Sequence, residues 1–423
     1  MKRTTMPILI ALAAFLAAAA VGSGCEQTNP LPAEPTTAVT TTAVTTIEAT
    51  TTEATTSEVT TDPTGQTEPA VPYRKANVIS FAAGEELTPS YSGAGYCGGE
   101  IVLRVPVDGA EEHLTAKYQK AADAYSAYFP YAVSPDGHIF IYDGEAAVPV
   151  IKEYAENGFV GACHPGSFAD RLTFWGDRLV VNCSGPTVAH PDNVQGILEY
   201  VDGEFRRIDE AWSTGEILDL IALAGTHHGG LAVSTRLDNP EYSRQAYLIA
   251  ADGTVEWEKE YEYSSTADIT DCVLEDLAGN RYSVSREVDA EYNEHYTLTS
   301  EDPSGAVLAS VNCCVSHMMS PSPVLQATDS NGYESGGAYL GVDGDGKAYF
   351  VCEYRFWENG TCIRIEDHLV RMDPYARTVE MMQICIPEAM PSDIRHYELD
   401  RDGNVYCGVW TVEQEFLMIK YVF

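Results

Sequence analysis

The sequence predicts an all-β fold, a β-propeller of seven blades within a range of six to eight, carried on a disordered tether. Three observations predict it. A turn-and-strand motif recurs along the chain, Asp-Gly hairpins lie between its copies, and the composition changes sharply near residue 72. The three parts are taken in chain order: residues 1–24, 25–71 and 72–423.

Residues 1–24 read as a signal peptide. Lys2 and Arg3 precede an unbroken apolar run of 13 residues, Ile8 to Ala20. A membrane core of ~30 Å needs about 20 residues, so the run has the length of a signal-peptide core. Gly22-Ser23-Gly24-Cys25 follows, and this resembles the lipobox of bacterial lipoproteins, with Gly22 where Leu is usual. The resemblance implies a lipid on Cys25, cleavage just before it, and a chain anchored to the cell membrane on its extracytoplasmic side. An ordinary secretory signal is the alternative.

Residues 25–71 cannot build an apolar face. Between Thr36 and Thr67, 16 of 32 residues are Thr, and such a segment cannot offset its ordering entropy. It reads as a flexible tether whose 46 residues from Glu26 to Val71 span about 35–40 Å as a coil.

Residues 72–423 are rich in Tyr, Val and Gly. The motif is an acidic or polar turn with Gly, then an apolar strand. It reads AVSPDGHIFIYD from Ala132, VLEDLAGNRYSVS from Val273, LGVDGDGKAYFVCE from Leu340 and LDRDGNVYCGVW from Leu399. Weaker copies start at Gly98, Phe174 and Gly229. Anchored on Gly99, Gly137, Gly176, Gly229, Gly279, Gly346 and Gly403, the copies lie 38 to 67 residues apart. Between them run alternating stretches with D-G or D-P turns at Leu103–Leu114, Ile197–Ile208, Tyr247–Tyr261, Thr297–Val311 and Leu369–Met381, a hairpin signature. A unit of about 50 residues with two to four strands, repeated seven times, argues for a propeller. A strand at Phe416–Phe423 pairing with one at Val78–Ala82 would close the ring. Glu111–Phe129 is the exception, with a helix-favouring Ala, Lys and Glu content. The repeats resemble those of NHL-type, YWTD-type and PQQ-like propellers, a likeness that implies the fold and no particular activity.

Charge limits the partners. The chain carries 25 Lys+Arg against 63 Asp+Glu, a net of -38. Residues 1–71 hold 2 basic and 7 acidic groups, so -33 falls on residues 72–423. Nucleic acid and a polybasic grip on anionic lipid are excluded. Cations or a basic partner fit better.

Chemical signatures are sparse. No H-E-x-x-H, G-x-S-x-G or glycine-rich phosphate loop is present, and no catalytic or metal residue is assigned. SPDGHIF at Ser134 only brushes the sialidase-type Asp box. Asp343/Asp345 and Asp400/Asp402 look like calcium-loop starts, but position 12 is Tyr354 and Thr411 rather than Glu. The other reading is a tight turn in which Asp bonds local N–H groups. His227-His228 is the one His pair. Tyr118, Tyr125, Tyr128 and Tyr131, with Tyr354, Phe356 and Trp357, read either as sheet packing or as a sugar platform. Of 11 Cys, ten remain beyond Cys25. Cys352 and Cys362 flank a hairpin and are the expected disulfide, with buried free thiols as the rival. The function expected is a membrane-anchored binding scaffold, with a cell-envelope carbohydrate-active hydrolase or lyase as the alternative.

Overall fold

The computed structural model describes residues 75–423 except 90–93, 120–123, 127–128, 185–195, 213–216, 238–243, 262–266, 270–273, 289–293, 315–331, 359–360, 385–395 and 412–413. The chain divides into two units, Met1–Gly65 and Gln66–Phe423, and every described residue belongs to the second. The signal segment, Cys25 and the Thr-rich tether lie outside the described residues.

Alternating apolar residues and frequent turns give antiparallel strands, as expected of half-buried β segments. Among the described residues the strands form six blades. Blade 1 is β6 (Tyr131–Val133), β7 (Ile139–Asp143), β8 (Val150–Ala155) and β9 (Gly158–Cys163). Blade 2 is β10 (Phe168–Trp175), β11 (Arg178–Ser184), β12 (Gly196–Val201) and β13 (Glu204–Arg207). Blade 3 is β14 (Ile217–Gly225), β15 (Leu231–Leu237), β16 (Arg244–Ile249) and β17 (Val255–Tyr261). In blade 4, β18 (Ala267–Ile269) and β19 (Leu274–Glu275) share β20 (Arg281–Val288), followed by β21 (Glu294–Glu301) and β22 (Val307–Cys314). Blade 5 is β23 (Gly332–Val342), β24 (Ala348–Glu358), β25 (Thr361–Asp373) and β26 (Thr378–Ile384).

Blade 6 closes the ring. It takes β27 (His396–Leu399), β28 (Asn404–Trp410) and β29 (Glu415–Val422) from the C-terminus and β3 (Glu100–Pro106) from the N-terminal side. The register pairs Phe416 with Val105 and Met418 with Leu103. This corrects the blade number from seven to six. The anchors at Gly99 and Gly403 belong to opposite edges of one blade, so seven motif copies make six blades. Closure uses β3 rather than the segment around Val78. That segment forms β1 (Ile79–Ser80), which pairs with β26, and β2 (Gly95–Cys97) lies parallel to β26. Between β1 and β2, Leu87 bridges Cys313 on the outer strand of blade 4.

Two local expectations also change. Leu103–Leu114 is not a hairpin. β3 ends at Pro106, and Val107 and Leu114 meet in a parallel bridge rather than an antiparallel ladder. Glu111–Phe129 is not helical where described. It contributes the two-stranded pair β4 (Lys117–Gln119) and β5 (Ala124–Ser126). The other four predicted hairpins form as β12–β13, β16–β17, β21–β22 and β25–β26.

The core is divided by blade junction. Tyr282, Tyr296 and Phe350 pack between blades 4 and 5. Val405, Leu417 and Leu369 pack between blades 5 and 6, and Leu103, Met418 and Ile141 between blades 6 and 1. A blade alone would expose both faces. Burial of its apolar side chains against neighbours, at about 25 cal/mol per Å², is what holds the ring.

The recurring Asp and Gly build one turn. At Ser134, Thr226, Asp276, Asp302, Asp343 and Asp400 the first residue's N–H donates to the carbonyl four residues on. The residue three on, a Gly, donates back to the first residue's carbonyl, all at 2.8–3.1 Å. The Gly carries positive φ, +79° at Gly346, as a three-residue hairpin loop with an αL bulge requires. Gly346 has a second role, because a Cβ there would collide with the hydroxyl of Tyr282 from blade 4. That hydroxyl donates to Asp276 Oδ2 at 2.9 Å. Gly346→Ala is expected to cost about 2–4 kcal/mol, from left-handed backbone strain and loss of this buried bond. Gly137→Ala, at φ +89° with open space around it, should show the backbone part alone. Denaturant unfolding of the two variants measures the difference.

Candidate functional site

The two ends of the ring differ. At one end short turns connect the first strand to the second and the third to the fourth. The carboxylates of Asp343 and Asp400, which open two of these turns, are occupied by the turns. Asp343 Oδ1 accepts the N–H groups of Asp345 and Lys347, each at 3.0 Å, and Oδ2 accepts the Tyr349 hydroxyl at 3.1 Å. Asp400 Oδ1 accepts Asp402 and Asn404 N–H, and Oδ2 accepts the Asn404 side-chain amide at 2.7 Å. This is the tight-turn reading of the DGDG and DRDG segments. Ser134 accepts the His138 N–H in the same way.

This turn end is laced from blade to blade. His227 Nε2 bonds the Val342 carbonyl of blade 5, and His228 Nε2 bonds the Asp276 carbonyl of blade 4, both at 3.1 Å. The adjacent pair therefore serves two different blades. Leu277 N–H donates to the Gly344 carbonyl, and Gly344 N–H to the Arg401 carbonyl. Blades 3, 4, 5 and 6 are thus joined through their turns.

The opposite end collects buried polar side chains. Asp143 at the end of β7 holds Lys152 at 3.0 Å, with side chains 0% and 6% exposed. Thr115 donates to the same Asp143 oxygen, and Lys152 also bonds the His113 carbonyl. Asp170 on β10 accepts from the Asn182 amide, yet burial raises its carboxyl above the usual range. Arg207 grips Asp209 through Nε and Nη2 at 2.8 and 2.9 Å.

Blade 5 contributes the densest group. The register sets Glu353 opposite Asp367 and Cys352 opposite His368. Asp367 accepts the Tyr397 hydroxyl of blade 6 at 2.6 Å. On the other face of β25, His368 lies 3.9 Å from Glu366 and 4.9 Å from the Tyr354 ring. Its side chain is fully buried, and burial pushes its pKa down to about 4, against the upward pull of Glu366 and Asp367. The imidazole is neutral at physiological pH.

Glu398 of β27 stands at the inner edge between blades 6 and 1. The residue is half-buried, but protein surrounds its carboxyl, and this desolvation raises its pKa well above the ordinary carboxylate value. The Val133 backbone bonds it. A carboxyl with a raised folded pKa keeps a proton that the unfolded chain has released. Wild-type stability relative to Glu398→Gln should therefore fall as pH rises above about 4.5, the value of a free Glu. Glu398→Gln is expected to be more stable than wild type at pH 8 and to converge with it toward pH 4, read by thermal melts across that range.

The residues singled out in the sequence are placed as follows. Cys352 is fully buried. The hairpin register sets Cys362 opposite Trp357, while Cys352 faces His368 five positions further along the strand. The side chain of Cys362, and with it the expected disulfide, lies outside the described residues. Tyr131 and Tyr354 are core side chains, 1% and 4% exposed. Tyr131 donates to the Tyr406 carbonyl at 3.0 Å across the junction of blades 6 and 1. Tyr128 and the side chains of Tyr118, Tyr125, Phe356 and Trp357 lie outside the described residues.

No protein-family model matches the sequence, and no curated protein matches it. Among solved structures, the chain is similar to the polysaccharide lyase Uly1, at 10% identity with a TM-score of 0.37, covering 82% of this chain and 99% of that one. It is also similar to a subtype N10 neuraminidase-like protein of A/little yellow-shouldered bat/Guatemala/060/2010. There the identity is 8% and the TM-score 0.25, covering 77% of this chain and 99% of that one. The propeller assignment rests on the strand pairing itself.

Proposed function

We propose that this chain is a membrane-anchored extracytoplasmic protein whose propeller binds a ligand or partner at the end away from the tight turns. One observation carries the reading: the turn end spends its Asp carboxylates on its own turns and its histidines on ties between blades, whereas the buried Asp143–Lys152 pair, Asp170 and Asp209 stand at the other end. A charge of -33 over residues 72–423 favours a cationic or basic partner, by attraction over a Debye length of about 8–10 Å. A lipid on Cys25 would supply the anchor.

The chain carrying Cys25→Ser is the reagent for the test. It should partition to the soluble fraction and bind basic peptides with a steep salt dependence. Substitutions at Asp367 and Glu353 should weaken binding, and substitutions at Asp400 and Asp402 should not. Binding indifferent to both sets overturns the reading. The second reading, a cell-envelope carbohydrate-active hydrolase or lyase, is favoured by one feature: two carboxylates opposed across β24 and β25 with a phenol on one of them. Turnover of any polysaccharide or glycoside on a panel would replace the binding reading with this one.

A further inference from the structure

The entering arm, β21 and the end of β22 bring three metal-binding side chains together at the outer rim of blade 4. They are Glu86, His295 and Cys314, and their ligand atoms lie within 4.8 Å of one another. Each is set in place by backbone. His295 and Cys314 are direct partners across β21 and β22, so both side chains leave the same face of the sheet. Glu86 precedes Leu87, whose N–H donates to the Asn312 carbonyl at 2.8 Å and whose carbonyl accepts the Cys314 N–H at 3.0 Å. Leu87 is fully buried. Glu86 Oε1 already meets His295 Nδ1 at 2.8 Å. The His and Glu side chains are each 36% exposed, which leaves a path for an ion.

We propose that Glu86, His295 and Cys314 bind a divalent transition cation of the zinc class, with water in a fourth position, and so clamp the arm to blade 4. Thiolate, imidazole and carboxylate together select a borderline-soft ion over calcium or magnesium, which want oxygen alone. Bonds of about 2.0–2.3 Å to such an ion place ligand atoms roughly 3.3–3.8 Å apart. Small rotations of the three side chains from their present spacing reach this. Loading releases the thiol proton of Cys314 and shifts the imidazole proton from Nδ1 to Nε2, so affinity rises with pH. The arm is also held by Arg377, whose guanidinium bonds the carbonyls of Ala82 and Glu85. A bound ion would add a side-chain fastening to these bonds and to the backbone bonds of Leu87.

The test uses the full chain with Cys25→Ser, purified reduced and freed of metal. Titration with Co²⁺ should give one tight equivalent with a thiolate-to-cobalt charge-transfer absorption in the near ultraviolet, and Zn²⁺ should displace it while excess Ca²⁺ does not. Cys314→Ser should abolish the absorption, and Glu86→Gln should weaken binding about tenfold or more. Limited proteolysis should cut the arm before Leu87 more slowly when Zn²⁺ is bound. Glu86 is half-exposed and its change to Gln is isosteric, so that variant reports on the site even if Cys314→Ser fails to fold. Binding without the thiolate absorption, or Co²⁺ affinity unchanged in Glu86→Gln, overturns the proposal.

Discussion

Lys152→Met will destabilise the ring by about 3–5 kcal/mol, the cost of leaving a buried charge without its partner. Asp143 is fully buried and Lys152 nearly so, so neither can recover hydration by turning outward. The substitution also removes the Lys152 bond to the His113 carbonyl. Residues 107–116 carry the chain from β3, the strand that closes blade 6, into blade 1. Thr115, the Tyr154 hydroxyl bond to the Glu112 carbonyl at 3.1 Å, and Lys152 all fasten this connection to blade 1. The loss should therefore be felt at closure. Hydrogen exchange should quicken first in β3 and β29. Asp143→Leu combined with Lys152→Met removes both charges, and should recover much of the loss of the single variant. A double-mutant cycle by urea unfolding, with a coupling well above 1 kcal/mol, is the expected result. Additive single losses would mean that the pair is solvated in solution.

The fold was legible wherever a residue type is demanded by backbone geometry. Gly137, Gly279, Gly346 and Gly403 sit at positive φ in one repeated turn, and such positions leave their mark in sequence because a Cβ strains them. The Asp residues before them were legible as turn formers for the same local reason. Blade number was not, since it depends on which distant strands pair. Gly99 and Gly403 look like two units until β3 is seen beside β29. The segment at Glu111 misled because helix propensity is a weak prior. Its residues follow β3 and are held by Asp143, Lys152 and Tyr154, which composition does not show. The candidate site was hardly legible. Asp143 ends an apolar strand, and Asp367-His368 leads into another, Leu369-Val370. Charged residues at strand ends read as solvated. Only the packing of one blade on the next buries them.

His368 should make the junction of blades 4 and 5 the acid-sensitive part of the ring. It stands on the face of β25 that packs with Tyr354, Cys352 and Val370 against Tyr296 and Cys313 of blade 4. In the native chain its pKa is near 4, against 6.5 for a free imidazole. Between these values the unfolded chain binds a proton that the native chain refuses, so stability rises with pH across the window and is lost as pH falls from about 6.5 to about 4. A shift of this size corresponds to a loss on the order of 3 kcal/mol. Asp170 and Glu398, whose carboxyls are raised, act in the opposite sense, because the native chain takes up their protons first. The wild-type curve mixes these with other shifted groups, among them His138, raised by its bond to Glu153, and the difference from His368→Gln isolates one. The free-energy gap between wild type and His368→Gln should be constant above pH 7. It should shift against wild type by about 3 kcal/mol on going to pH 4, as measured by urea unfolding at each pH. Parallel curves would show that His368 gains its proton in the folded ring, which requires the Glu366 carboxylate, 3.9 Å away, to outweigh the burial that separates both from water.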